Sequence, residues 1–155
     1  MSKNESNVVR MVIAEDDEDD RVLLQAALKE SKFAHPVEFV ENGEELLEYL
    51  RQQGRYTHLE GKPHPGLVLL DLNMPRKDGR ETLREIRNDE RLKHIPIVVL
   101  TTSQEDNDII HSYGLGANSY ITKPTSLEAL IDIVNTLDLY WFHIVQLPNS
   151  DDTLL

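Results

Sequence analysis

The run Leu67-Val68-Leu69-Leu70 passes straight into Asp71, and Leu72, Asn73, Met74 and Pro75 follow. Four apolar residues in succession, with no polar alternation, describe a short strand buried on both faces. Strands of that kind belong to parallel sheets with helices covering each side. The stretch also ends in a carboxylate. A buried charge is costly unless a partner or an ion meets it. Asp71 is therefore expected at the C-terminal tip of its strand, facing a site.

The remaining chain repeats the theme. A β-rich run at 8–14 leads directly into six acids, Glu15 to Asp20. Six acids in a row are usually a solvated segment. Here they begin where a buried strand ends, and an amphipathic pattern follows at once (Val22, Leu23, Leu24, Ala27, Leu28). Asp17 or Glu18 then suits the N-terminus of a helix, where acids complement the dipole. Glu15 and Asp16 are left at the strand tip. Residues 36–40 alternate as a second strand. Asn42 is an N-cap candidate, and Leu46, Leu47 and Leu50 recur at helical spacing. Residues 54–66, rich in Gly, Pro, His and Lys, read as a long surface loop. Its His58 and His64 lack companions at ligand-like spacing, which disfavours a metal site there.

The third strand, 67–70, is followed by a turn signal at Asp78-Gly79 and a helix with Leu83 and Ile86 facing inward. Residues 95–100 are a fourth buried strand, ending in Thr101. A polar helix is expected over 104–113, closed by Gly114 and Gly116. A fifth strand, 118–122, runs into Lys123 and Pro124. Ser126 resembles an N-cap, with Ala129 where a capping-box acid would stand. Leu127, Leu130, Ile131, Val134 and Leu137 form the inward stripe of a last helix. Five strands alternating with five helices imply an α/β fold with a parallel sheet.

Composition excludes several classes. No cysteine is present, so disulfides, thiolate catalysis and cysteine-ligated zinc are ruled out. No run approaches the roughly 18 apolar residues of a membrane span, and the first ten residues do not read as a signal peptide. A cytoplasmic protein is expected. The net charge of −12 argues against direct contact with nucleic acid and with anionic membranes.

The strand tips carry the chemistry. In parallel α/β sheets the site lies outside the C-terminal strand ends. Glu15 with Asp16, Asp71, Thr101 and Lys123 each follow a different predicted strand. Converging carboxylates repel by about 4 kcal/mol per pair at 4 Å and an effective dielectric of ~20. A hard divalent cation removes that repulsion, and magnesium suits two carboxylates and a backbone carbonyl, with water completing its shell. A carboxylate can act as a nucleophile and form an aspartyl phosphate. A metal and a lysine would offset charge on the transferred phosphoryl group.

These residues resemble the receiver domain of two-component response regulators. The matching positions are Glu15-Asp16, Asp71 in Leu-Asp-Leu-Asn-Met-Pro, Thr101, and Lys123-Pro124, with Pro96 before the fourth strand and Tyr120 three residues ahead of Lys123. The resemblance covers roughly residues 8 to 138. It implies a flavodoxin-like (βα)5 doubly wound sheet of strand order 2-1-3-4-5. It also implies that Asp71 accepts a phosphoryl group from a histidine kinase. Asp16, Asp71 and the Asn73 carbonyl would bind Mg2+, with Glu15 acting through water. Lys123 would contact the phosphoryl group, and Thr101 and Tyr120 would switch the surface of the fourth helix, fifth strand and fifth helix. Asn73 and Ser103 would tune dephosphorylation. Glu15 departs from the aspartate common in the family.

Two features extend beyond the common receiver: the 54–66 loop and an aromatic extension over 139–148. With a lead at 1–7 and a tail at 149–155, a receiver over 8–148 leaves no length for an output domain. Both features resemble the single-domain regulators that partner cyanobacterial phytochrome kinases. Tyr140, Trp141, Phe142, Ile144, Val145 and Leu147 either cover the domain's own core or form a homodimer surface; the aromatic enrichment favours the dimer. A phosphatase with an aspartyl nucleophile is disfavoured by Asn73, which replaces its second Asp. A nucleotide-binding domain would need a Gly-rich loop where the acids stand. A degenerate receiver would have lost the acceptor or the lysine. A relay or phosphate-sink role stays open beside a diffusible output. The chain is thus expected to be a regulatory phosphoacceptor rather than an enzyme.

Overall fold

The computed structural model describes residues 9–31, 33–72, 74, 78–101 and 114–141. Five strands form one parallel sheet: β1 (Met11–Ala14), β2 (Val37–Val40), β3 (Leu67–Asp71), β4 (Ile97–Thr101) and β5 (Ser119–Thr122). Their order is β2-β1-β3-β4-β5, as the resemblance implies. The described helices are α1 (Glu18–Glu30), α2 (Gly43–Arg51), α3 (Gly79–Asn88) and α4 (Leu127–Leu139), with a 3-10 segment at Gly54–Leu59. The helix expected over 104–113 lies outside the described residues, as do the 1–7 lead and the 149–155 tail. Among the described residues no helix is long and apolar enough to cross a membrane.

The inner strands β1, β3 and β4 are buried along their whole length. Side chains on a strand alternate between faces, so each strand feeds two cores. Val12, Val68, Leu70, Ile97 and Val99 join Leu46, Leu50, Leu83 and Ile86 on the face covered by α2 and α3. Met11, Ile13, Leu67, Leu69, Val98 and Leu100 meet Leu24, Ala27, Leu130, Val134 and Leu137 on the face covered by α1 and α4. This two-sided burial is what the unbroken run at 67–70 demanded.

Side-chain caps fix where each helix leaves its loop. Asp17, Asn42, Asp78 and Ser126 accept from the backbone N–H groups of Asp20, Glu45, Glu81 and Ala129. Each cap satisfies an otherwise orphaned donor. Ser126 caps without a capping-box acid, because its hydroxyl alone makes the essential bond.

Three expectations need correction. Asp78-Gly79, read as a turn, is the cap and first residue of α3. Val22, read into the apolar face of α1, is 58% exposed; at helical spacing Leu24 and Ala27 point inward and Val22 does not. Residues 54–66 are more than a surface loop. Tyr56 and Leu59 are buried in the α2–α3 core. The Tyr56 hydroxyl donates to Glu45 Oε2 at 2.5 Å, and its ring meets Tyr49 edge-on. The Gly and Pro content of the segment concealed these two anchors.

At the other end, Leu130, Val134 and Leu137 of the α4 stripe are buried, Leu127 and Ile131 are partly buried beside them, and Trp141 packs against the α1–α4 core. Leu139 and Tyr140 are 58% and 51% exposed. Phe142, Ile144, Val145 and Leu147 lie outside the described residues.

Candidate functional site

All five strands run parallel, so their C-terminal ends share one edge. Glu15 follows β1 and is fully buried. Its N–H donates to the Val40 carbonyl at 3.0 Å, which fastens it to the end of β2. Asp71 is the last residue of β3 and is 2% exposed. Thr101 ends β4 and is completely buried. Lys123 follows β5, and its N–H donates to the Thr101 carbonyl at 2.7 Å. Sequence-distant stations thus converge because each strand tip delivers one polar residue.

The Lys123 ammonium is the centre of the arrangement. Its Nζ lies 2.6 Å from Glu15 Oε1, 2.8 Å from Asp20 Oδ2 and 3.0 Å from Asp71 Oδ2. Burial works to lower the Lys123 pKa. Its bonds to Asp20 and Glu15, and the Asp71 charge, outweigh burial and hold the ammonium above its ordinary range. Burial, followed by the adjoining Asp71 carboxylate, pushes Glu15 up to about 8 against the pull of Lys123. Asp16, half-buried, is raised chiefly by burial, with Asp71 adding to it. Protonation states here are set by desolvation and by crowding of like charge.

Glu15, Asp16 and Asp71 each offer a carboxylate oxygen, and these oxygens lie within 4.8 Å of one another. An all-oxygen donor set suits a hard divalent cation. Glu15 Oε1 is buried and accepts no aligned hydrogen bond, although the ammonium is close. The residues present therefore fit a divalent metal.

Tyr120, on β5, is half-buried and packs against the α2–α3 core. Asn73 and Ser103 lie outside the described residues. Two residues at the site were not singled out from sequence. Asp20 pairs with Lys123, and helical spacing from Leu24 and Ala27 places it on the inward face of α1. Gly79 permits the start of α3 to touch the strand tip. A Cβ there would lie 2.6 Å from both the Asp71 carbonyl oxygen and the Leu72 Cα.

Comparison with known proteins agrees with this geometry. The family described as "Response regulator receiver domain" matches residues 11–135. Response regulator Rcp1 of Synechocystis sp. is 42% identical over 146 residues, spanning 94% of this chain and 97% of Rcp1. The phosphorylated cyanobacterial phytochrome response regulator RcpA is similar in structure, with a TM-score of 0.79 and 45% identity over 90% of this chain and 98% of that one. The Mn2+-bound form of Rcp1 gives a TM-score of 0.77 and 41% identity over 90% and 99% of the two chains.

Proposed function

The chain belongs to the response regulator receiver domain family, and from that premise we propose that Asp71 is its phosphoacceptor in a Mg2+-dependent transfer from a phytochrome-type histidine kinase. The observation that carries this reading is the Lys123 ammonium 3.0 Å from Asp71 Oδ2, beside a cluster of three carboxylates. An Asp71 carboxylate oxygen attacks the phosphorus of a phosphohistidine. The P–N bond breaks, and its electron pair returns to the imidazole nitrogen, which takes up a proton. The product is an acyl phosphate on Asp71. Lys123 neutralises phosphoryl oxygens, so the protein contributes positioning and electrostatics.

Asp16, Asp71 and the Asn73 carbonyl would hold the magnesium, with Glu15 acting through water. When bound, the ion offsets the charge of the carboxylates and of the incoming phosphoryl group. Thr101 and Tyr120 carry the change outward. The Thr101 hydroxyl turns to the phosphoryl group, and Tyr120 re-packs towards the space it leaves, altering the surface of residues 104–113, β5 and α4. Such a switch is a local charge event read by a bistable surface. Asn73 and Ser103 tune attack by water. Small phosphodonors also phosphorylate the site, and the acyl phosphate hydrolyses intrinsically. The cytoplasm is the proposed location.

The similarity to Rcp1 and RcpA supports the phytochrome-type partner. Mixing the protein with autophosphorylated histidine kinases tests it. Label should move faster from phytochrome-type kinases than from unrelated ones; equal rates from all would contradict the pairing. Exposed Leu139 and Tyr140 support a homodimer built on the start of the C-terminal extension. Trp141, which covers the chain's own core, contributes less. Sedimentation showing only monomer at high micromolar concentration, with and without phosphorylation, would remove the dimer from the account.

A further inference from the structure

We propose that Asp20 is a positioning residue that holds Lys123 in the resting site and competes with a phosphoryl group for its ammonium. The proposal rests on the phosphoacceptor reading above. A lysine ammonium has three protons, and Lys123 faces three carboxylates at 2.6, 2.8 and 3.0 Å. An incoming phosphoryl oxygen competes with these carboxylates for the ammonium.

The three partners differ. Glu15 is wholly buried, and Asp71 bears the group to be modified. Both also belong to the cluster suited to a metal. Asp20 does not belong to it. It stands in the first turn of α1, with a side chain 40% exposed. Water can solvate its carboxylate as soon as the ammonium departs, so its release is the least costly of the three. The wall where Asp20 and Lys123 meet is apolar, formed by Leu23, Leu24, Leu100, Pro124 and Leu130. Asp20 is thus the acidic group on that wall, and its pull on the ammonium adds to that of Glu15 and Asp71. The pair also ties α1 to the loop after β5.

Removal of a partly exposed ion pair of this kind should speed engagement roughly two- to fivefold. The full chain is phosphorylated with acetyl phosphate at saturating Mg2+, and initial rates are compared for wild type, Asp20→Asn and Asp20→Ala. Asp19→Asn is the control, because it removes the same charge from the same helical turn at an exposed position. Beryllium fluoride affinity is measured in parallel. We expect both Asp20 variants to gain roughly two- to fivefold in rate and in beryllium fluoride affinity, with Asp19→Asn unchanged. A structural lesion would lower both readouts rather than raise them.

Unchanged or slower Asp20→Asn overturns the latch. An equal gain in Asp19→Asn also overturns it, since general charge repulsion would then explain the effect. Failure of the underlying reading looks different: wild type takes no label, or Asp71→Asn keeps it.

Discussion

Glu15 gives the sharpest test of the site's electrostatics. In the folded protein its pKa rises from the ordinary 4.5 to about 8, through burial first and the Asp71 carboxylate second. The folded form therefore holds a proton that the unfolded chain releases near 4.5. Glu15's contribution to stability is complete below that value and is lost as pH climbs through about 8. The rise from 4.5 to about 8, which already includes the opposing pull of the Lys123 ammonium, converts to at most about 5 kcal/mol. Lys123 itself stays charged across this window, because its carboxylate partners hold it above its ordinary range. The slope therefore belongs to the carboxylate. Urea unfolding measured from about pH 5 to pH 9 in EDTA should show wild type losing stability relative to Glu15→Gln by a few kcal/mol. Saturating Mg2+ should shrink that loss, since a bound cation stabilises the ionised cluster. Parallel wild-type and Glu15→Gln profiles in EDTA would refute the reasoning.

Gly79→Ala places a methyl 2.6 Å from the Asp71 carbonyl oxygen and the Leu72 Cα. Overpacking costs about 1–3 kcal/mol and helix propensity returns up to about 1, so urea unfolding should show net destabilisation, with slower labelling by acetyl phosphate; a neutral or more stable variant would contradict the close approach. Tyr56→Phe removes the donor to buried Glu45 Oε2 and should cost about 1–3 kcal/mol in the same assay, whereas a loss within error would show that the 54–59 segment is not anchored there.

Much of the fold and site can be read from residue order because strand burial and strand-tip chemistry are both local signals. The unbroken apolar run at 67–70 predicts two covered faces, and both cores are present. Glu15, Asp16, Asp71 and Lys123 each stand at the C-terminal tip of a strand, and parallel pairing brings them together. The Asp20–Lys123 pair was less legible. Among the four acids that follow Asp16, only the helical phase of α1 distinguishes the inward one from its solvated neighbours. Tyr56 and Leu59 were hidden for a related reason. Two anchors spaced three apart in a Gly- and Pro-bearing segment give no periodicity longer than one turn. Gly79 read as a turn glycine, because its true constraint is a backbone eight residues back in the chain and absent from local pattern. Trp141 shows the reverse case: its aromatic character favoured a dimer surface, while its position one turn past Leu137 sets it on the chain's own core.

The most direct test of the central claim is to locate the phosphoryl group. Wild-type protein is treated with acetyl phosphate with and without Mg2+, the acyl phosphate is trapped by borohydride reduction, and peptides are sequenced by mass spectrometry. Modification is expected at Asp71, dependent on Mg2+ and absent from Asp71→Asn. Modification at another residue, label that persists in Asp71→Asn, or indifference to Mg2+ would contradict it.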